Sequence, residues 1–497
     1  MSDTAAGSAH PTPASPAQSG SPVSVILVMC FGGMVAALMQ TLVIPIQPEL
    51  PKLLGTSVSS ASWVITATLL GGAVAMPIAG RLGDMFGKQR VLIASALFLA
   101  AGSLVAALSD SVLPLVAGRT LQGLAMGFIP VGISLMREVT PPRLTSSAVA
   151  AMSATLGVGG AIGLPLSAWV AESLDWHALF WVSLGLALVV LVLIATLIPH
   201  VDDQHGGRLD VVGALGLIVG LVATLVAVSK GNTWGWTDTK TIGLFVGGVV
   251  VLVAWGWFEL RHPDPLVDLR TTARPAVLLT NLAAIAVGFG MMALSIVMPQ
   301  LLEMPTATNY GLGQSVLQAG LWMAPGGLMM MVFAPISSMM LNRIGAKYTL
   351  AIGALVIALG YLAAFFLMHA PWQILVAAVI GTSGVGIGYA AMPTLIMASV
   401  PIADAGAAVG LNALMRSIGT TVASAVMATL LTTSTTSLAG HEIPTEGAFK
   451  LCFAVGAVAA LVAVAITMTI PFRSPKAEQA AAQVHPTEEP ETIDAAR

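Results

Sequence analysis

The sequence predicts an all-α integral membrane protein with fourteen transmembrane helices, in which two six-helix bundles flank two inserted helices, and three observations predict it. The 497 residues are 56% apolar and only 9% charged, whereas a soluble domain carries about 25% charged residues. The apolar residues form repeated blocks of about 20 residues, the length that crosses the hydrocarbon core of a bilayer. Small-residue landmarks recur in the two halves of the chain. This composition excludes an ordinary water-soluble enzyme, a disordered chain and a basic nucleic-acid-binding protein.

The predicted spans lie between clusters of charged residues, where sliding windows are almost wholly apolar. They are predicted near 23–46, 60–79, 91–108, 113–135, 147–170, 179–198, 211–229, 241–259, 277–298, 318–341, 349–368, 372–399, 406–431 and 449–470. The resulting domains are a disordered cytosolic tail (1–22), an N-terminal six-helix bundle (23–198), a linker with the two inserted helices (199–276), a C-terminal six-helix bundle (277–470) and a second cytosolic tail (471–497).

Lys and Arg residues concentrate in the loops on one side of the predicted helices. If the N-terminus is cytosolic, this side includes Arg81, Lys88, Arg343 and Lys347, whereas few basic residues, such as Lys230, fall in outer loops. This is the positive-inside pattern, and an odd number of helices would scramble it. The sequence therefore predicts a multi-pass protein of the cell membrane with both termini cytoplasmic.

The two halves of the chain share an internal repeat. Aligning Gly87, in the loop after the second span, with Gly345, in the loop after the tenth, places Asp84 opposite Asn342. Glycines of the fourth and fifth spans recur in the twelfth and thirteenth, at a similar offset of about 260 residues. Chance matching of glycine-rich helices is the alternative. Two related six-helix halves with a binding site at their interface are an architecture of secondary transporters.

The loop between the second and third spans carries the strongest local pattern. Its glycines permit close helix approach and positive φ angles. Asp84 can accept hydrogen bonds from a helix N-terminus or an arginine, as in a latch that breaks on conformational change. The alternative is that the basic residues of this loop only fix the orientation of the protein in the membrane, and that the loop contains an aspartate by chance. The pattern resembles motif A of the major facilitator superfamily, and the residues that we expect to act in conformational change are Gly80, Gly83, Asp84, Gly87, Lys88 and Arg90.

The fourth span contains Arg119, Gln122 and Gly123 on one helical face. An arginine within a membrane span is energetically costly and is a functional hypothesis by default. Arg119 lies close enough to the outer end for snorkelling to be the alternative. The set resembles motif B of the same superfamily, which implies a role for Arg119 in proton coupling.

The fifth span contains a run of small residues with Gly159, Gly163 and Pro165. It resembles the antiporter signature, motif C, although the proline is displaced by one position, and an ordinary small-residue packing face is the alternative. With the fourteen spans and the other motifs, the chain resembles the 14-helix drug:proton antiporter branch of the superfamily over about residues 23–470. That resemblance implies multidrug efflux and antibiotic resistance.

The first span departs from this branch. Many members have an acidic residue there, whereas this chain has Gln40, which can bind a substrate by hydrogen bonds but cannot titrate. We find no carboxylate near the middle of any predicted span. We therefore expect Arg119 to approach an acid at an outer helix end, with Glu49 favoured, in one state of the transport cycle.

The thirteenth span carries Asn412, Arg416 and Thr420 at intervals of four residues, which places them on one face. Arg416 is about 15 Å by helix rise from the inner end, too deep for easy snorkelling. The pattern favours a role toward a substrate or another helix. The alternative is an arginine satisfied by the backbone carbonyls of a neighbouring helix.

These features predict a secondary active transporter, with proton-coupled export of amphipathic drugs or other small molecules by alternating access. The expected partners are a small-molecule substrate, protons and the lipid bilayer, with no nucleic acid, and the expected functional unit is a monomer. The sequence has no Walker loop and no spacing typical of a metal site, so we expect no cofactor, no metal and no enzymatic activity. Uptake or uniport of a metabolite is the first alternative, and a membrane-embedded enzyme of lipid or envelope metabolism is the second.

Overall fold

The structure is a computed structural model that describes residues 22–44, 46–47, 49–198, 210–438 and 441–471. Within these residues, fourteen helical segments are long and apolar enough to cross a membrane, so the predicted number of spans is confirmed. The two predicted tails, apart from Pro22 and Pro471, and the charged stretch at 199–209 lie outside the described residues. The domain boundaries stay a prediction.

The N-terminal half is formed by nine α-helices. They are α1 (Pro22–Thr41), α2 (Leu50–Leu53), α3 (Val58–Ala61), α4 (Trp63–Phe86), α5 (Lys88–Ala107), α6 (Val112–Leu124), α7 (Phe128–Val139), α8 (Pro142–Ser173) and α9 (Ala178–Leu197). A 3₁₀ turn at Ala125–Gly127 separates α6 from α7, so the predicted fourth span is one membrane crossing with a change of helix type.

The remaining described chain begins with the inserted pair and ends with the C-terminal half. Its helices are α10 (Val211–Trp234), α11 (Thr239–Glu259), α12 (Leu269–Thr272), α13 (Pro275–Glu303), α14 (Val316–Ile344), α15 (Ala346–Phe366), α16 (Pro371–Gly388), α17 (Ala391–Ser399), α18 (Ala405–Thr433) and α19 (Glu446–Thr469). The predicted twelfth span is interrupted at Tyr389 and Ala390, between α16 and α17. The interruption matches the one between α6 and α7, which agrees with the repeat.

Two six-helix bundles pack side by side. Within the first, α1 packs on α8, α4 packs on α6, and α5 packs on α6 and α9. Within the second, α13 packs on α18 and α19, and α15 on α16 and α19. The bundles meet along two helix crossings, α4 with α18 and α8 with α14. We call the end of the helices that holds the α4–α5 turn the Asp84 end, and the other the opposite end.

The inserted helices pair with each other and attach through α10, which contacts both α4 and α18. Their charged residues differ from the prediction. Lys230 was expected in an outer loop, but it lies inside α10 and is 2% exposed. Its Nζ donates to Ser62 Oγ at 2.5 Å and lies 4.6 Å from the centre of the Trp63 ring. The error arose because the apolar stretch ends before the helix does.

A β-hairpin that the sequence did not predict connects α18 to α19 at the opposite end. Strands β1 (Thr435–Leu438) and β2 (His441–Pro444) pair antiparallel, with Thr435 opposite Pro444. The Tyr310 hydroxyl donates to the Pro444 carbonyl, so the hairpin is fixed to the loop that follows α13. Its four-residue strands are too short to give a clear alternating pattern in the sequence.

Candidate functional site

The α4–α5 turn is built around Gly87, which ends one helix and begins the next. Its φ of 94° and ψ of 133° are strained for any residue with a Cβ. The turn brings Lys88 back onto Asp84, with Nζ 3.3 Å from Oδ1. Lys88 Nζ also donates to Glu138 Oε1 of α7 at 2.5 Å. Within the N-terminal bundle, one buried lysine therefore compensates two carboxylates.

Asp84 itself reaches the other bundle. Its Oδ1 accepts from the Gly406 backbone N–H at 3.1 Å, and its Oδ2 accepts from the Ala407 N–H at 2.8 Å. These are orphan donors of the first turn of α18, where the helix dipole also favours an anion. The carboxylate is buried, at 3% exposed. We call Asp84 with these two amides the Asp84 latch.

Two neighbours extend the contact between α4 and α18. Arg81 Nη1 lies 3.5 Å from Asp404 Oδ1 in a partly exposed ion pair. Gly80 lies against the backbone of Gly406, and a Cβ on Gly80 would collide with the Gly406 carbonyl group. Gly83 faces Val131 of its own bundle at ordinary contact distance, and Arg90 is exposed and forms no ion pair within the described ranges. The structure thus brings together all the predicted loop residues except Arg90.

Arg119 is buried in the N-terminal bundle, at 1% exposed. Its Nη1 donates to the Met39 carbonyl at 2.9 Å and to Gln122 Oε1 at 2.7 Å, and its Nε donates to the Val64 carbonyl at 3.4 Å. Gln122 Nε2 in turn donates to Ser103 Oγ at 2.9 Å. The cluster joins α1, α4, α5 and α6 and contains no carboxylate from the described part of the chain.

The other predicted residues of the fourth and first spans lie beside this cluster. Gly123 packs against the Thr68 carbonyl of α4. Gln40 follows Met39 and is half-buried, and its side chain forms no hydrogen bond with any described residue. Glu49, the acid that we expected Arg119 to approach, is exposed in this state.

The C-terminal bundle holds the other predicted polar residues. Asn412 Nδ2 donates to Asn281 Oδ1 of α13 at 2.9 Å, which joins α18 to α13. Arg416 is 7% exposed, and its guanidinium carbon lies 4.2 Å from the centre of the Tyr389 ring. Sequence reasoning missed Tyr389. The signal that could have found it is an aromatic residue with a hydroxyl directly after the glycine that ends α16.

The small residues of α8 face two directions. Gly159 packs against the backbone of α1 at Met34 and Leu38, and Gly163 packs against Thr41. Gly157 instead faces Met330 of α14, across the interface of the two bundles. Pro165 is half-buried within α8, and its backbone nitrogen lies beside Gly320 of α14. Gly159 and Gly163, two of the three predicted antiporter-like residues, are therefore close-packing positions for α1.

The family of the chain is decided by comparison with known proteins. The sequence model of the Major Facilitator Superfamily matches residues 29–424 and 282–490. The chain belongs to this superfamily. Its fold agrees: the human organic anion transporter MFSD10 superposes with a TM-score of 0.63 at 16% identity, covering 90% of this chain and 99% of that one. Members of the superfamily carry small-molecule substrates across membranes, often with protons, and the chain is a multi-pass membrane protein.

Relatives in the superfamily include proteins of drug export. An uncharacterized MFS-type transporter of Mycobacterium tuberculosis is 30% identical over 65% of this chain. That alignment covers only 46% of the relative's length, so the chain matches about half of that protein. The tetracenomycin C resistance and export protein of Streptomyces glaucescens is 28% identical over 72% of this chain and 65% of its own length.

Proposed function

We propose that this superfamily member is a secondary active exporter of amphipathic small molecules, driven by protons. The observation that carries the proposal is the Asp84 latch, because its acceptor and its donors belong to different bundles. Alternating access needs contacts that form at one end of the molecule in one state and separate in the other. The carboxylate can accept these two bonds only while α4 and the start of α18 touch.

Lys88 makes the latch reversible. When α18 moves away, Asp84 loses two backbone donors, but Lys88 moves with it because both lie in the N-terminal bundle. The carboxylate therefore keeps a counter-charge in the open state and avoids the large cost of an unpaired buried ion. The moving units in this proposal are the predicted bundles, 23–198 and 277–470.

In this proposal the Asp84 end and both termini face the cytoplasm, which the positive-inside pattern supports. The structure would then correspond to a state closed toward the cytoplasm. The export direction is supported by the similarity to the tetracenomycin C export protein. Ion coupling is assigned to Arg119 and Gln122 beside Gln40, and the monomer is proposed as the functional unit.

The test is dye accumulation in inside-out membrane vesicles that contain the protein, where export appears as uptake into the lumen. Fluorescein and rhodamine 6G serve as probes, because they share a xanthene ring and carry opposite charges at neutral pH. Respiration should drive accumulation of at least one dye, and an uncoupler should abolish it. Accumulation that survives the uncoupler contradicts proton drive, and failure of both dyes to accumulate above protein-free vesicles contradicts the proposed export.

A further inference from the structure

The charges buried in the membrane-crossing helices are unbalanced in sign. In the part of the chain that the structure describes, every carboxylate of these helices lies within one turn of a helix end. Arg119 and Arg416 lie deeper, about two and three turns from the ends of their spans by helix rise. A cationic substrate would meet these positive groups without a carboxylate to receive it.

The two arginines differ in what compensates them. Arg119 is 1% exposed and donates to two backbone carbonyls and to Gln122, so its donors are used inside one bundle. Arg416 has Tyr389 as its described partner, through both the ring face and the hydroxyl, and within the described residues no carboxylate forms an ion pair with it. A guanidinium has five N–H donors in a fork that matches a carboxylate.

The surroundings of Arg416 also fit a binding surface. Opposite faces of α18 are occupied, because Gly410 packs on α4 and Asn412 bonds to α13. Arg416 and Thr420 share the face between them, and Ser417 and Thr420 are only half-buried. Hydroxyl groups on a partly open helix face beside an uncompensated guanidinium provide both polar contacts and a positive charge for a ligand.

We propose that the Arg416 guanidinium binds the anionic group of the substrate, and that the substrates of this transporter are amphipathic organic anions. This inference rests on the proposed export function and names its substrate class. Tyr389 is a positioning residue in it, because its ring holds the guanidinium plane. The cation–π contact contributes about 0.5–2 kcal/mol, which is too little to offset the full cost of burying the guanidinium charge in a membrane. An anion that binds beside Arg416 would supply the missing counter-charge and is therefore stabilised there.

The first experiment measures binding, as the polarisation of fluorescein emission on titration with the detergent-purified full chain. We expect fluorescein to bind, Arg416→Gln to weaken its affinity at least about tenfold, and Arg416→Lys to weaken it less, because lysine keeps the charge but not the fork. Tyr389→Phe should bind nearly as well as the wild type, and Tyr389→Leu several times more weakly. Thermal unfolding of each variant shows whether it is folded.

The second experiment measures transport of the two dyes in the vesicles described above. Accumulation of fluorescein that Arg416→Gln reduces at least about tenfold supports the inference. Accumulation of rhodamine 6G without fluorescein overturns the anion class and leaves export intact. Fluorescein binding that depends on Arg416, with neither dye accumulating, supports the site and contradicts the proposed function. Binding of equal strength in the wild type and both folded Arg416 variants overturns the inference.

Discussion

The α4–α5 turn of the N-terminal bundle and the α14–α15 turn of the C-terminal bundle have a similar backbone conformation, with a glycine of positive φ at the junction of the two helices. Gly87 has a φ of 94° and Gly345 a φ of 85°, and each joins two membrane-crossing helices without a loop. Each turn also faces the start of a helix in the other bundle. Asp84 bonds to the first turn of α18, and Asn342 accepts from Ser146 Oγ near the start of α8 at 2.9 Å.

The chemistry of the two contacts differs. Asp84 is 3% exposed and charged, whereas Asn342 is exposed and neutral. Buried hydrogen bonds to a charged group contribute about 1.5–3 kcal/mol, and neutral bonds about 0.5–1.5 kcal/mol. The duplicated scaffold therefore supplies two equivalent contacts, and the carboxylate makes the first of them the stronger.

The helix crossings beside these turns also differ, and the crossing beside Asp84 is again the one with the tighter contact. The α4–α18 crossing brings backbone against backbone, at Gly80 and Gly406. The α8–α14 crossing places the side chain of Met330 against Gly157. Methionine is flexible and adapts to altered packing, so the second crossing can tolerate a change at Gly157 better than the first tolerates one at Gly80, although Gly327 of α14 also lies close to the Gly157 carbonyl.

The largest expected effect comes from Asp84→Asn. The variant should insert and fold, but dye transport should fall at least about tenfold, because the amide replaces an acceptor with a donor and leaves one buried N–H unpartnered. The measurement is the initial rate of accumulation in vesicles matched for protein content. Asn342→Ala is the control and should change the rate less than about twofold. Equal losses in the two variants would remove the distinction between the turns.

Gly80→Ala tests the backbone crossing and leaves the Asp84 carboxylate unchanged, although the new Cβ would also approach Gly406 and Ala407 of the latch. A Cβ at this position collides with the Gly406 carbonyl, so we expect transport to fall about fivefold through overpacking of the closed state. Gly83→Ala is the matched control, since its Cβ would lie 3.4 Å from Val131 Cγ1, an ordinary contact. Transport is again measured against the amount of folded protein. A larger loss in the Gly83 variant would contradict this account of the crossing.

The sequence predicted the fold, and it singled out Asp84 as an acceptor for a helix N-terminus or an arginine, but it did not identify which helix. The chain has fourteen apolar blocks, each about as long as a bilayer-spanning helix. Because no water is available in the bilayer core to pair with backbone N–H and C=O groups, such a block must be a helix, and the number of spans can be counted from the sequence. Asp84 could be identified because the glycines and charged residues that mark its loop lie within a few positions of one another in the sequence. Gly406 and Ala407 act through backbone amides, which any residue carries, and their distance along the chain leaves no local signal.

The polar residues within the spans show a second limit. Arg119, Gln122 and Arg416 were found from their chemical cost in a membrane. Their partners were not, because Met39 and Val64 contribute carbonyl oxygens and Tyr389 contributes a ring face. Lys230 was misplaced because its neighbours read as loop residues, whereas a nearby hydroxyl and an indole ring allow it to be buried.

Gly157→Ala examines the α8–α14 crossing. Its Cβ would collide with the Met330 side chain, so we expect transport to fall about threefold, less than in Gly80→Ala. Met330→Ala in the same chain removes the Cγ and Sδ atoms that this Cβ would meet but keeps Met330 Cβ, 2.7 Å away, so it should restore part of the rate. No substitution can remove the carbonyl that Gly80 faces. A double variant as slow as Gly157→Ala alone would show that the crossing is as rigid as its counterpart.

Ser146→Ala is expected to have the smallest effect. It removes the donor to Asn342, and both partners are in solvent-accessible positions where water can replace the lost bond. The loss should be below about 1 kcal/mol, which changes the transport rate less than about twofold. Ser147→Ala is a useful neighbour, because Ser147 bonds to Ser338 at 2.8 Å in a partly buried position and should cost slightly more. If Ser146→Ala slowed transport as strongly as Asp84→Asn, the exposed neutral contact would be holding the bundles together as firmly as the buried charge, and burial would not explain the difference between the two turns.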